Sequence, residues 1–286
     1  MSYVPPVIAV LVIRCTASLA MSSGPITRLM GSVARSCSRR ASRSSPSSVA
    51  DSGVSTNPAA MRLTRIGAGL VAGYRRQGWA VVASARRIKV AEDPDVLAVE
   101  GDLAEPATAD RIVDGALERF GRIDTLVNDA GVYISKPFTD YTAADYALAS
   151  GVNLAGFFWI TQRAIAEMAT RYGGHVVNIT ATLAEVANSG EPAVLAAMTK
   201  GGLAAATRSL AVEYASRGIR VNAVSPGIIQ TPLHPAESYQ DLGGRLPPLG
   251  RAGQVSDVVD AILFLESSPY ITGEILHVDG GQTAGH

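Results

Sequence analysis

The sequence predicts a single α/β domain with a doubly wound, mainly parallel sheet. From Ile66 onward, helical segments alternate with short apolar strands, and one of these strands, residues 220–224, ends in the turn Pro226-Gly227. Pro226 fixes its own φ, and Gly227 lets the backbone come close to a ligand. In folds of this class the ligand cleft lies beyond the carboxyl ends of the strands. We therefore expect the functional residues at that edge of the sheet.

Apolar periodicity and chain-breaking residues define the individual elements. A helix that starts at Ile66 stops at Gly78, and a strand follows over residues 80–85. Residues 108–120 are predicted to be helical because their apolar side chains recur on one face. The remaining elements are predicted, in chain order, as strands 96–99 and 125–127, a long helix 143–172, the helix that carries Lys200, strand 220–224, helix 255–266 and strand 273–279.

Composition limits the classes of function. The 286 residues are 47% apolar and 17% charged, which is typical of a globular protein with a large core. The net charge of zero gives no reason to expect binding to nucleic acid or to an acidic membrane surface. Both cysteines lie before residue 38, and the four histidines show no ligand spacing with carboxylates, so no metal site is predicted.

The first 65 residues differ in composition from the rest. They hold eight of the 25 Lys and Arg but one of the 25 Asp and Glu. Residues 34–57 are rich in Ser and Arg and are predicted to be disordered. The apolar run 7–13 is too short to span a bilayer and follows no basic region. We therefore interpret residues 1–60 as a disordered or artefactual extension, and 61–286 as the domain.

Two explanations of this extension stay open. An Arg-rich, Ser-rich and acid-poor segment is typical of an organelle transit peptide. A frameshift that ends near residue 64 would also explain the abrupt change in character, and the genomic reading frame tests it. We expect the protein in the cytoplasm, with organelle import as the minor alternative.

Four motifs together resemble the short-chain dehydrogenase/reductase family. They are NDAG at 128–131, VNLAGFF around Asn153, the helix around Lys200, and VNAVSPGIIQTP at 221–232. The resemblance covers roughly residues 66–286. It implies a Rossmann-like fold and an oxidoreductase that moves a hydride between a nicotinamide cofactor and a carbonyl or alcohol substrate. It also implies a homodimer or a homotetramer.

The front of the nucleotide site departs from the family pattern. The family has TGxxxGIG after an apolar strand, whereas residues 60–67 read AMRLTRIG, so only Gly67 remains. Gly67 and the helix dipole can still hold phosphate charge. Close helix–strand packing is an equal explanation of Gly67 and Gly69.

The residues after the strand 80–85 favour NADP(H), with NAD as the alternative. Arg86 stands where NAD-preferring relatives carry an acid, and a guanidinium fork suits a 2′-phosphate. Arg65 could add a second positive charge. Two solvated arginines at the strand end, Arg86 and Arg87, are the alternative interpretation. The resemblance assigns further cofactor contacts to Asp102, Leu103, Asn128, Ala130, Gly131, Lys200, Pro226, Gly227, Ile229 and Thr231. Asn128 could equally have a purely structural role, and Asp129, where the family usually has a second Asn, is expected to be a mild change.

The catalytic set that the resemblance implies is incomplete. Asn153 would position a relay water, Thr182 would polarise the carbonyl, and Lys200 would bind ribose and handle protons. Thr180 should face the other side of its strand. Ala196 stands where the family has its proton-donating Tyr, and Tyr133 is the nearest alternative phenol in the chain. An active but weakened enzyme and a catalytically silent binding or assembly subunit are therefore both open. The sequence does not identify the substrate.

Overall fold

A computed structural model of the chain describes residues 8–13, 65–89, 91–187, 191–231 and 247–285, with the side chains of 8–13 and 65 left undescribed. All of these residues belong to one compact unit. The strands are β1 Ile8–Ile13, β2 Ala80–Ala85, β3 Val96–Glu100, β4 Thr125–Asn128, β5 Gly174–Ile179, β6 Ile219–Pro226 and β7 Ile275–Val278. The helices are α1 Arg65–Arg76, α2 Pro106–Phe120, α3 Ala143–Ser150, α4 Gly156–Thr170, α5 Val194–Tyr214 and α6 Val255–Ser267.

The sheet confirms the predicted α/β class and contains one reversed strand. Its strand order is β3-β2-β1-β4-β5-β6-β7. Neighbouring strands run parallel except at β1, which pairs antiparallel with both β2 and β4. Val10 of β1 lies opposite Ala83 of β2 and Val127 of β4. The N-terminal apolar run therefore fills the central place that the first parallel strand holds in a doubly wound sheet.

The position of β1 changes the domain boundary and the path of the chain. Residues 1–60 are predicted to lie outside the domain, but the structure includes Ile8–Ile13 in the sheet. Ile13 pairs with Ala80, at the amino end of β2, so β1 ends at the edge opposite to the predicted cleft. A short turn at the cleft edge cannot lead from β1 into α1. The predicted disordered stretch 34–57 lies outside the described residues.

Two apolar layers cover the sheet. On one face, α2, α4 and α5 bury a core that includes Ile112, Ile160 and Met168. On the other face α1 and α6 pack together, because Gly69 leaves room for α6: a Cβ on Gly69 would lie 2.5 Å from Val255 Cγ1. The close packing at Gly69 is thus between two helices rather than between a helix and a strand.

The long helix expected over residues 143–172 is interrupted. α3 starts at a capping box formed by Thr142 and Asp145. Between α3 and α4 the chain forms a π-helical turn, Gly151–Ala155. Such turns occur frequently at functional sites because they redirect side chains. This one carries Asn153.

A buried polar cluster lies at the amino ends of the strands, away from the predicted cleft. Glu266 Oε2 accepts hydrogen bonds from the hydroxyls of Tyr74 and Thr125 and lies 3.1 Å from His175 Nδ1. The other ring nitrogen of His175 lies 3.1 Å from Asn222 Nδ2 and 3.4 Å from Arg220 Nη1. The cluster therefore connects α1, β4, β5, β6 and α6. Among the described residues, no helix is both long and apolar enough to cross a membrane.

Candidate active site

The side-chain amide of Asn153 is held in place by hydrogen bonds within the chain. Its side chain is buried, and its Oδ1 accepts a hydrogen bond from Val132 N at 2.8 Å. Its Nδ2 donates to Val132 O at 3.1 Å and to Thr199 Oγ1 at 3.0 Å. The amide thereby connects the π-helical turn to the loop after β4 and to α5. This explains why an Asn, intrinsically unfavourable inside a helix, occupies this position.

Lys200 lies beside Asn153 at the carboxyl edge of the sheet. Its Nζ donates to the carbonyl of Ile179, the last residue of β5, at 2.6 Å. A Cβ built on Gly131 would lie 3.2 Å from Lys200 Nζ and 3.5 Å from Asn153 Oδ1. The two polar groups therefore converge on the face of Gly131 that lacks a side chain. The structure thus brings together Asn153, Lys200 and Gly131, three of the residues that the sequence assigns to the site.

The electrostatic state of Lys200 results from two opposing effects. Burial lowers the pKa of the Lys200 ammonium to about 8, because the charged form loses solvation. The Asp129 carboxylate acts in the opposite direction and raises that pKa. The sequence predicts that Asp129, in place of the family's Asn, is a mild change. In the structure it adds a negative charge that raises the pKa of Lys200.

The structure places no phenol at position 196. Ala196 is buried on α5, one helical turn before Lys200, and its carbonyl accepts a hydrogen bond from Thr199 Oγ1 at 3.3 Å. Thr182 is also buried and begins a short 3₁₀ turn, Thr182–Ala184, that packs against α5. Thr180 donates its hydroxyl to Val224 O of β6 at 3.1 Å. Thr180 is thus engaged with the neighbouring strand, which leaves Thr182 as the candidate hydroxyl.

Tyr133, the nearest alternative phenol in the chain, is held by a carboxylate. Its side chain is half exposed, and its hydroxyl donates to Glu191 Oε1 at 2.6 Å. Partial desolvation and the hydrogen bond to Glu191 raise the pKa of the Tyr133 phenol. A phenol in this state is a weaker acid than free tyrosine, and this disfavours Tyr133 as a proton donor.

Residues predicted to hold the nucleotide lie along the same edge of the sheet. Gly67 is buried in the first turn of α1, and Arg65, whose side chain is not described, begins that helix. Arg86 follows β2 directly and is partly buried. Asp102 follows β3, is exposed, and accepts a hydrogen bond from Ala104 N at 3.0 Å. Leu103 is buried and packs against α4. A Cβ built on Gly156 of that helix would lie 3.1 Å from the Cβ of Leu103.

Asn128 has a structural role in the interior. Its Nδ2 donates to Thr161 Oγ1 at 2.9 Å and to Asn178 Oδ1 at 2.8 Å. Asn178 in turn donates to Thr207 Oγ1 at 2.9 Å. This buried chain of polar side chains connects β4 and β5 to α4 and α5. Ala130, two residues after Asn128, packs against the core on the same face of the sheet.

The turn Pro226-Gly227 packs tightly against the end of β7. A Cβ on Gly227 would lie 2.9 Å from Asp279 Cα, so close packing within the chain itself requires glycine here. The Asp279 carboxylate accepts hydrogen bonds from Gly281 N, Thr283 N and Thr283 Oγ1. Burial raises the pKa of Asp279, but these hydrogen bonds outweigh burial and lower it. Ile229 forms a β-bridge with Gly253, and the partly buried Thr231 is the last described residue before position 247.

Sequence reasoning missed two partners of the predicted residues. Thr199, whose hydroxyl accepts a hydrogen bond from Asn153, directly precedes Lys200 and has no sequence signal beyond its place in the helix. Ile179, the backbone acceptor for Lys200, carries no recognisable side-chain signal. In the part of the chain that the structure describes, no three His, Cys, Asp or Glu side chains form a cluster suited to a metal ion.

Comparisons with known proteins identify the family to which this chain belongs. A family model described as enoyl-(acyl carrier protein) reductase matches residues 51–283. The 3-oxoacyl-(acyl-carrier-protein) reductase FabG of Thermotoga maritima is 36% identical over 175 residues, which cover 59% of this chain and 70% of the relative. The 3beta-hydroxysteroid dehydrogenase 1 of Eggerthella lenta is 34% identical over 232 residues, covering 78% and 87%.

A solved structure is similar over much of the chain. The gluconate 5-dehydrogenase of Burkholderia cenocepacia, solved in complex with NADP and tartrate, has a TM-score of 0.62 and 31% identity. The match covers 67% of this chain and 77% of that one. The chain therefore belongs to the short-chain dehydrogenase/reductase family, whose members are NAD(P)-dependent oxidoreductases.

The two ends of the predicted cofactor site fit the cofactor unequally. At the nicotinamide end, Lys200 packs against Gly131 and supplies an ammonium group, a donor that ribose hydroxyls can bind. At the phosphate end, the reversed direction of β1 rules out the short strand-to-helix turn that carries the family's glycines. The residues present therefore fit the nicotinamide end of a dinucleotide more closely than its phosphates.

Proposed function

We propose that this chain is an NADP(H)-dependent oxidoreductase that acts on a small carbonyl or alcohol substrate, with turnover weakened by the absence of a tyrosine at position 196. The observation that supports this best is the convergence of Lys200 Nζ and Asn153 Oδ1 on Gly131. A lysine in a helix is ordinarily a solvated charge, whereas this one is anchored to the Ile179 carbonyl at 2.6 Å.

The proposal assigns a role to each residue at the nicotinamide end. The cofactor, when bound, supplies or accepts a hydride. Lys200 would bind the ribose, Asn153 would hold the loop that begins at Gly131, and Thr182 would polarise the substrate carbonyl. Positioning alone contributes several orders of magnitude to a bimolecular reaction, so activity without the tyrosine is chemically reasonable. A missing general acid typically costs about 10²- to 10⁴-fold.

The preference for NADP over NAD is based on Arg86 and Arg65. Arg86 follows the carboxyl end of β2, where a guanidinium can bind a 2′-phosphate. Two structures similar to this chain, the gluconate 5-dehydrogenase and a protein named ElxO, were solved with NADP bound. Asp102, Ala130, Pro226, Ile229 and Thr231 complete the proposed cofactor contacts, whereas the amide of Asn128 is engaged in the interior. A homodimer or homotetramer remains a prediction of the resemblance, and a cytoplasmic location remains a prediction from the sequence.

The first experiment is a fluorescence titration of the full-length chain with NADPH and NADH. Tighter binding of NADPH supports the proposal, and weaker binding of NADPH in Arg86→Glu identifies the 2′-phosphate contact. The absence of binding by either nucleotide would contradict the enzyme function.

The second experiment replaces Ala196 with Tyr. Since Ala196 precedes Lys200 by one helical turn, Ala196→Tyr should raise carbonyl reduction by at least about tenfold. Ala196→Phe, which adds the same ring without the hydroxyl, is the matched control and should give no gain. Equal rates for both variants would favour the other candidate, a catalytically silent binding or assembly subunit. That candidate is suggested by Ala196, which is buried and has no hydroxyl to donate a proton.

A further inference from the structure

We propose that Glu185 is a positioning residue, whose carboxylate ties the turn that carries Thr182 to the last two strands of the sheet. The turn is Thr182–Ala184, and the strands are β6 and β7. This assignment rests on the proposed function, in which the hydroxyl of Thr182 polarises the substrate carbonyl. It adds the residue that determines where the turn with this hydroxyl lies.

The carboxylate of Glu185 contacts one side chain on each of the two strands. Its Oε1 accepts a hydrogen bond from Ser225 Oγ of β6 at 3.4 Å, and its Oε2 lies 2.9 Å from His277 Nε2 of β7. A carboxylate can only accept, so Nε2 of His277 carries the proton in this contact. Ser225 and His277 lie opposite each other in the pairing of β6 with β7. Glu185, Ser225 and His277 together are called the Glu185 cluster below.

A backbone hydrogen bond joins Glu185 to Thr182. The amide of Glu185 donates to Thr182 O at 2.9 Å, so the two residues move together. The strand β5 ends at Ile179, and Thr180 N makes the next bond to β6, to Val224 O at 2.9 Å. Beyond that bond, the side chain of Glu185 connects the turn to the sheet.

The same carboxylate fixes the turn relative to the proposed cofactor contacts. Ser225 is buried and directly precedes Pro226, and Gly227 N donates to Val278 O of β7 at 3.1 Å. The Pro226-Gly227 turn is therefore held by the ladder of β6 and β7, and Glu185 holds the Thr182 turn to the same two strands. A misplacement of about 1 Å at a reacting group can cost about 10²-fold in rate, so this relative position matters for hydride transfer.

Hydrogen exchange followed by mass spectrometry tests the Glu185 cluster without substrate or cofactor. The side chain of Glu185 is 35% exposed, so Glu185→Ala removes little buried surface and should fold. The backbone amides at positions 185 and 186 both donate to Thr182 O at 2.9 Å. In Glu185→Ala they should exchange at least about fivefold faster, the factor expected for the loss of one hydrogen bond.

Glu274→Ala is the matched control for that experiment. Glu274 is an exposed carboxylate at the other end of β7, directly before Ile275. Its replacement removes the same charge and should leave exchange in the Thr182 turn, and turnover, unchanged. The comparison separates the contacts of Glu185 from a general effect of net charge.

Turnover then tests the consequence for the reaction. Glu185→Ala should lower kcat for carbonyl reduction at least about tenfold with little change in the KM for NADPH, because the Thr182 turn moves while the Pro226-Gly227 turn stays in its ladder. Glu185→Gln keeps the length of the side chain and can hydrogen-bond both partners, so kcat should stay within about threefold of wild type. Adding His277→Ala to Glu185→Ala should cause no further loss, because the histidine acts through the carboxylate.

The outcomes are distinguishable. Unchanged exchange in the Thr182 turn of Glu185→Ala overturns the Glu185 cluster as the anchor of that turn. Retained kcat in Glu185→Ala, or equal losses in Glu185→Ala and Glu185→Gln, overturns the positioning role. A wild-type chain that binds NADPH but reduces no carbonyl also overturns that role. A chain that binds no nicotinamide contradicts the proposed function as well, while the exchange experiment still decides whether Glu185 anchors the turn.

Discussion

The Nδ1 atom of His175 lies 3.1 Å from Glu266 Oε2, in the interior of the sheet's amino edge. The carboxylate can only accept, so Nδ1 carries the proton, and Nε2 faces the donors Asn222 and Arg220. His175 is therefore buried as the neutral tautomer. Burial is the main cause that lowers the pKa of His175, and the charge of Arg220 adds to it, whereas Glu266 opposes both.

This arrangement predicts a loss of stability in mild acid. The folded-state pKa of His175 lies below its unfolded value of about 6.5, so its contribution is complete above that pH and declines as pH falls towards the folded-state pKa. Burial raises the pKa of the Glu266 carboxylate, but the interaction with His175 outweighs burial and the net shift is downward. The contribution of Glu266 to stability is therefore lost at still lower pH. Urea unfolding of the wild type from pH 8 to pH 5 should show the decline. His175→Gln, which cannot titrate, should show a smaller slope, and an equal slope would contradict this account.

Replacement of Gly131 by Ala should damage function more than stability. The added methyl group would lie 3.2 Å from Lys200 Nζ, which sits at the end of a flexible side chain and can move away. We expect a loss of at least about tenfold in kcat/KM, with a change of under about 1 kcal/mol in the free energy of unfolding. Steady-state kinetics and urea unfolding measure both quantities.

Gly201→Ala is the matched control for that variant. Gly201 directly follows Lys200 on α5, and a Cβ there would meet no atom within 4 Å. The substitution should stabilise the helix by about 0.5–1 kcal/mol and leave kinetics unchanged. If both variants lose activity equally, the effect of Gly131→Ala does not come from the approach of Lys200.

Replacement of Val10 by Pro tests whether the domain includes the N-terminal strand. Val10 lies between Ala83 and Val127, so its backbone is inside the hydrogen-bonded ladder. Proline has no N–H to donate and is not tolerated in central strands. An unsatisfied buried partner costs about 1–3 kcal/mol, so unfolding should occur at clearly lower urea. Val10→Thr keeps the N–H and should be much milder. Equal stability of Val10→Pro and wild type would exclude β1 from the central sheet.

The sequence predicted most of the strands and helices because each depends on a local pattern of apolar and chain-breaking residues. The strand Ala80–Ala85 agrees with its predicted bounds, and α2 differs from its prediction by two residues at its start. The long helix over residues 143–172 was only partly right, since one π-helical turn divides it into α3 and α4. A π-helical turn holds one residue more than an α-helical turn. The spacing of apolar residues did not predict that extra residue.

The amino-acid sequence by itself determined the family, the alternation of strands and helices, and the presence of Asn153 and Lys200 without a tyrosine at 196. Each of these depends on residue type and on spacing along the chain. Tertiary structure alone decided that Ile8–Ile13 enters the sheet in the reverse direction, because strand pairing is set by distant partners. It also decided the state of Lys200, because burial and the charge of Asp129 arise only when β4, β5 and α5 meet.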